Sequence, residues 1–162
     1  MLKQFSEIFN DVDQHWMQYC VSMAELTAMR GEVPIAAVIV SHNNTLLGEG
    51  SNRCITDNDP TAHAEIIAMR AACARQQNYR LSDCTLYVTV EPCPMCFGAI
   101  VNARVSRLVY AASEPRTGAC GSCVGLHTEL RHSVSISRGL MAEQAAALMR
   151  RFFESKRGQG ND

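Results

Sequence analysis

The chain has 162 residues, 47% of them hydrophobic and 19% charged, a balance that excludes a disordered protein and fits one globular domain with a sizeable core. With 15 basic and 16 acidic side chains the formal charge is −1, so no overall positive field draws the chain to nucleic acid, and an RNA partner has to be held by a local patch. The longest apolar run, residues 33–40, is too short to cross a bilayer and the N-terminus has no signal-peptide architecture, so no membrane association and a cytoplasmic location are expected; there, eight cysteines read as metal ligands, catalytic groups or core filler rather than disulfides.

Trp16, Cys20, Met23 and Leu26 recur at helical spacing and predict a half-buried helix over 13–30. The period then changes. Residues 34–40 and 45–50, joined by the polar turn 41–44, read as a β-hairpin whose first strand is buried on both faces. Helix returns over 61–76, with Ala62, Ile66, Met69 and Cys73 on one face and Asp59-Pro60 as the start signal. "CTLYVTV", residues 84–90, is β-branched and aromatic and reads as a strand. A helix over 93–103, a strand over 107–112, a Gly- and Cys-containing loop over 113–130, a strand over 132–137 and a helix over 141–154 complete the order. Residues 1–157 read as one domain, followed by a flexible polar tail, 158–162. Strands alternating with helices after an opening hairpin imply an α/β protein with a mixed sheet covered on both faces.

Two clusters carry chemistry. Cys93 and Cys96 in "EPCPMC" are three apart at a strand-to-helix junction, so both sulfurs face one way on the first turn, where backbone N–H groups favour thiolates. His63 and Glu65 stand in the first turn of the helix at 61. If the two helices lie side by side, His63 supplies the third ligand of a His/Cys/Cys site whose fourth tetrahedral position stays open to water, as in catalytic rather than structural zinc. Zinc brings the pKa of that water from ~15.7 toward ~7. Glu65, two residues from the ligand, is placed to take and pass protons.

His63-Ala64-Glu65 followed by Pro92-Cys93-Pro94-Met95-Cys96 matches the H-x-E and P-C-x-x-C signature known for zinc-dependent nucleobase deaminases. "GEVPIAAVIV", "GEGSNR", "DPTAHAEIIAMR", "NYRLSDCTLYVTVEPCPMCFGAI" and "RTGACGS" extend the likeness over residues 16–157, and the chain resembles the bacterial tRNA-specific adenosine deaminases. That resemblance implies a cytidine-deaminase-like three-layer α-β-α fold with a central mixed five-stranded sheet, a homodimer with one Zn2+ per subunit, and conversion of adenosine to inosine at the wobble position, 34, of a tRNA anticodon loop. It also implies metal binding by His63, Cys93 and Cys96, catalysis by Glu65, and contacts to the flipped base from Asn52 and the backbone N–H of Ala64, with Ile35 and Glu114 near the pocket. The chain departs from the family where Ser113-Glu114 replaces a basic residue and an aspartate, and where the segment after Ser122 is shorter.

Blander roles compete for several residues. Asn52 alone is a turn residue, and Cys120, Cys123 and His127 read as small loop residues rather than a second metal site. Arg150, Arg151, Lys156 and Arg157 around Phe152 and Phe153 form either the solvated face of a packing helix or an RNA patch, with Arg104 and Arg107 as further basic residues. The alternative to tRNA is deamination of a free base or nucleotide, of guanine or cytosine type, at the same metal site. A non-catalytic RNA-binding module that keeps the metal for stability is the remaining reading.

Overall fold

A computed structural model describes residues 5–130 and 132–159. Its elements are α1 (Asp11–Met29), β1 (Ala36–Ser41), β2 (Leu46–Ser51), α2 (Cys54–Asp57), α3 (Ala64–Gln76), β3 (Cys84–Val90), α4 (Pro94–Asn102), β4 (Arg107–Ala112), α5 (Leu126–Glu129), β5 (Ser135–Arg138) and α6 (Ala142–Gln159). The five strands form one sheet in the order β2-β1-β3-β4-β5. β1 runs antiparallel to both β2 and β3, while β3, β4 and β5 are parallel. The sheet is therefore mixed, as the hairpin followed by helix-linked strands requires.

Strand alternation divides the core in two. Ala37 and Ile39 of β1, Leu86 and Val88 of β3, and Leu108 and Tyr110 of β4 pack with α3 and α4 on one face. Val38, Val40, Tyr87 and Val109 point the other way, onto α1 and α6. Central strands buried on both faces explain why β1 and β3 read as continuous apolar runs.

Helix faces differ in detail from the sequence reading. In α1 the buried stripe runs through Asp13, Trp16, Met17, Cys20, Val21, Ala24 and Thr27, leaving Leu26 exposed. In α3 the buried stripe is Ala64, Ala68 and Ala72 with Glu65 and Met69. The larger Ile66, Met69 and Cys73 line a surface hollow of about 400 Å³ shared with Tyr79 and Ala99. Small residues win the core face because β2 offers Gly48 and Gly50 there. A Cβ on Gly48 would lie 2.4 Å from the Ala68 carbonyl oxygen, and one on Gly50 2.4 Å from that of Ala64, so backbone meets backbone along this seam.

Several boundaries move for local reasons. α3 starts at Ala64 rather than 61, because Asp59 Oδ1 accepts hydrogen bonds from the Thr61 N–H and hydroxyl and holds that segment in a turn. β5 starts at Ser135, and the loop after β4 contains the short α5. α6 continues to Gln159, and the remainder of the expected tail, 160–162, lies outside the described residues.

Arg107, counted above among basic residues available to RNA, is committed elsewhere. Its guanidinium donates to both oxygens of buried Asp13, at 2.7 and 3.1 Å, and to Ser137 Oγ. Asp13 also accepts from the Tyr87 hydroxyl and, through the capping box of α1, from the Asn10 N–H. Burial pushes the Asp13 carboxyl up, but Arg107, Tyr87 and the Asn10 N–H outweigh it and hold the group below its ordinary 3.8. A lowered pKa means that this contribution is complete above the unfolded value and disappears as pH falls through the lower folded one. Asp13→Ala is expected to lower the unfolding free energy by about 2–4 kcal/mol, since it strands a half-buried guanidinium and the Tyr87 hydroxyl. Urea denaturation from pH 7 to 2.5 checks this, the difference from wild type shrinking at the acid end.

Candidate active site

Two helix N-termini meet beside β1. His63 is the N-cap residue of α3, with extended backbone (φ −79°, ψ 151°), and Cys93 is that of α4 (φ −73°, ψ 170°). Neither side chain caps its own helix, so both are free to point across the gap. Pro94 occupies the first turn of α4, where its missing N–H leaves no bond unmade. α3 and α4 touch although the strands before them, β2 and β3, are not neighbours, because β1 lies between.

The ligand atoms converge. His63 Nδ1 lies 3.6 Å from Cys93 Sγ and 3.6 Å from Cys96 Sγ. Among the described residues these three form the one group of three or more His, Cys, Asp or Glu able to share an ion, with all ligand atoms within 4.8 Å of one another. A tetrahedral zinc with Zn–N near 2.05 Å and Zn–S near 2.3 Å separates nitrogen from each sulfur by roughly 3.6 Å. The donor set and its spacing fit that ion.

The electrostatics of the bare cluster fit ligation too. The Cys93 thiol is lowered to about 4 by hydrogen bonding from Cys96, then by His63, against the cost of burial. Cys96 is held up by its proximity to Cys93 and by burial, and the bond to Cys93 raises the His63 pKa. Glu65 is only 4% exposed. Burial pushes its carboxyl up to about 7, with Cys93 adding to the rise and its own N–H, His63 and Cys96 opposing it. A group poised near neutrality can both accept and release a proton.

The neighbouring positions are arranged less simply. Asn52, buried at the end of β2, has its Oδ1 accepting from the Ala64 N–H at 3.1 Å. The N–H expected to face a base is thus engaged by the side chain expected to face the same base, and Asn52 retains its amide NH2 for a ligand. Ile35 is half-buried against the core, and its carbonyl accepts from the Asn52 N–H at 3.1 Å, fixing that residue's backbone. Glu114 lies just past β4. Its Oε1 accepts from the Arg116 N–H, and it lines a hollow of about 380 Å³ with Arg116, Arg150, Phe153 and Arg157.

Two buried carboxylates were missed in the sequence. Glu32 accepts from the Thr56 N–H at 2.6 Å, the Thr56 hydroxyl at 2.8 Å and the Ile55 N–H at 3.4 Å, which holds α2 in place after Asn52. Glu91, directly before Pro92-Cys93, accepts backbone N–H groups from Glu114, Cys120 and Ser122. Both stand inside quoted motifs, but their partners are 23 to 31 residues away, beyond any local pattern.

A His-x-Glu helix start beside a Cys-x-x-Cys helix start, on a five-stranded sheet of this order, defines a deaminase of the cytidine-deaminase-like fold. Residues 11–157 match the MafB19-like deaminase model, and the chain belongs to that deaminase family. It is 40% identical to the tRNA-specific adenosine deaminase of Haemophilus influenzae over 94% of this chain and 89% of that protein. A structure from a study of A-to-I editing by tRNA:A34 deaminases at the wobble position aligns with a TM-score of 0.80 at 38% identity, covering 83% of this chain and 98% of its own. The guanine deaminase of Bacillus subtilis is 42% identical over 65% of this chain and 66% of its own, with a TM-score of 0.60.

The glycine seam sets how closely α3 approaches the sheet. Gly50→Ala is expected to cost about 1–3 kcal/mol of stability by forcing the first turn of α3 outward. Gly98→Ala, whose Cβ would meet nothing within 4 Å, is expected to be neutral or stabilising by up to about 1 kcal/mol as a helix substitution. Chemical denaturation of the two variants checks the contrast.

Proposed function

We propose that this enzyme hydrolytically deaminates adenosine to inosine at the wobble position, 34, of a tRNA anticodon loop, with one zinc ion per subunit held by His63, Cys93 and Cys96. The observation that carries the chemistry is the 3.6 Å spacing of the histidine nitrogen from both sulfurs. Full-length similarity to tRNA-specific adenosine deaminases supports the substrate over a free base. Zinc bound by three protein ligands supplies an acidified water at neutral pH.

The chain's own residues do the rest. Asn52, its carbonyl fixed on Ala64 and its backbone on Ile35, offers an amide N–H to a purine acceptor and orients the flipped base. Water adds at C6 of adenine while Glu65 takes one of its protons and delivers it to the ring nitrogen; Glu65 then carries the remaining hydroxyl proton to the amino group, the C–N bond breaks, and ammonia leaves with a carbonyl left at C6. Burial pushes the Glu65 carboxyl up from the ordinary carboxylate range, which favours its holding a proton between the two transfers. Glu114 and Arg116, with Arg150 (paired with Glu143), Glu154 and Arg157 of α6, form the mixed-charge wall that meets the RNA backbone. Residues 1–157 form the deaminase domain, and the protein acts as a cytoplasmic homodimer, as its resemblance to the family implies. No helix among the described residues is long and apolar enough to cross a membrane.

Purified protein incubated with an anticodon stem–loop bearing adenosine at position 34 is expected to yield inosine, read by mass spectrometry of the digested RNA. Ammonia release from guanine, cytosine or their nucleosides, with no inosine in the stem–loop, would transfer the assignment to the free-base reading. Glu65→Gln is expected to keep its zinc and lose turnover by on the order of 10²–10⁴-fold; retained activity would remove Glu65 from proton transfer. Cys96→Ala is expected to bind little zinc and to melt at lower temperature, because ligation contributes to folding free energy. Elemental analysis and a thermal melt of that variant decide it.

A further inference from the structure

The loop after β4 is fastened to the metal-ligand turn by a single side chain. Glu91 is 3% exposed and closes β3 on the edge from which Pro92 and Cys93 lead into α4. Its Oε2 accepts the Glu114 N–H at 3.0 Å, and its Oε1 accepts the Cys120 N–H at 2.8 Å and the Ser122 N–H at 3.2 Å. The backbone adds two further ties: the Glu91 N–H donates to the Ala112 carbonyl, and the Ala119 N–H to that of Pro92, each at 2.8 Å. Gly118 is shaped to this arrangement. A Cβ there would lie 2.4 Å from the Glu91 carboxyl carbon and 2.5 Å from the Glu114 carbonyl oxygen. The loop is therefore wrapped around the carboxylate, and only a glycine fits the inner surface.

We propose that Glu91 is a positioning residue: it holds the wall formed by residues 113–122, Glu114 included, in register with the His63, Cys93 and Cys96 cluster, and so sets affinity for the RNA loop rather than the rate of the chemical step. The proposal rests on the substrate reading above. Three N–H donors aimed at one carboxylate need an acceptor on both oxygens, which a glutamine of the same shape cannot supply because one of its terminal atoms is itself a donor. Glu91→Gln leaves one or more of the three N–H groups facing an NH2, and the loop drifts from the turn. Gly118→Ala reaches the same end from the other side, by pushing the loop off the carboxylate.

The test compares wild type, Glu91→Gln, Gly118→Ala and the double variant as zinc-loaded proteins. Each is expected to hold one zinc per chain. With the anticodon stem–loop, KM is expected to rise tenfold or more while kcat changes less than threefold, and the double variant is expected to be no worse than the poorer single one. Amide exchange at Glu114, Cys120 and Ser122 should quicken in Glu91→Gln, while the visible spectrum of the cobalt-substituted protein stays that of wild type. A fall in kcat at constant KM, loss of the metal from Glu91→Gln, or a wild-type rate of exchange at those three amides overturns the assignment. If the wild-type protein leaves the stem–loop untouched, the substrate reading has failed on its own, and the exchange and cobalt measurements still decide whether Glu91 holds the loop without disturbing the metal turn.

Discussion

Three ligand atoms on two helices can share one point only if both helices begin at the same end of the sheet and neither is held away from it by bulk. The first condition comes from topology. β2 and β3 both run toward that end, on either side of β1, because each is antiparallel to it. The second comes from the seam between Gly48 and Gly50 of β2 and Ala64, Ala68 and Ala72 of α3. Larger residues along it would bury more apolar area, but they would also carry His63 away from the two sulfurs. Here the fold gives up dispersion contacts for position, a trade expected where a side chain has to be placed within fractions of an ångström.

The buried carboxylates separate structural from chemical roles. Asp13 answers an arginine, a tyrosine hydroxyl and a backbone N–H, and Glu32 and Glu91 each accept three hydrogen bonds. Such groups are saturated with donors, and in Asp13 and Glu32 those donors more than reverse the upward push of burial. Glu65 is equally buried but faces the histidine–cysteine cluster, and burial prevails to leave its carboxyl near 7. Where donors outweigh burial, as at Asp13 and Glu32, the charged form is favoured; where burial outweighs them, as at Glu65, the carboxyl is better placed for proton transfer.

What was legible in the sequence follows from the range over which each feature is encoded. α1, β1, β3, α4 and β4 carry their period within themselves and lie within a few residues of expectation. The grouping of His63, Cys93 and Cys96 was equally legible, since Cys93 and Cys96 are a local pair and His63 and Glu65 another, and only their meeting depends on tertiary structure. α2 was missed because residues 54–57 have no apolar face and are held by Glu32 from another part of the chain. The core face of α3 was only partly legible: Met69 is buried as expected, but Ile66 and Cys73 lie at the margin of the core, and the alanines that fit the glycines of β2 take its centre. Glu91 sat in plain view in "EPCPMC", yet its role is written in N–H groups of residues 114, 120 and 122, which have no side-chain signature at all.

This division also separates the His63, Cys93 and Cys96 group from the loops around it. His63, Cys93, Cys96 and Glu65 are fixed by helix starts and the glycine seam. The rim is made of loops whose conformation is set by internal hydrogen bonds: residues 53–57 by Glu32, residues 113–122 by Glu91. Side chains on those loops can change without moving His63, Cys93 or Cys96, because the anchors bond backbone N–H groups rather than the side chains of residues 114, 120 and 122. The hollow beside Glu114 brings Arg116, Arg150 and Arg157 together with Glu154, and Arg150 is itself paired with Glu143 at 2.6 Å. Its charges are therefore close to balanced, and what a ligand would meet there is set by the placement of single side chains rather than by a net field.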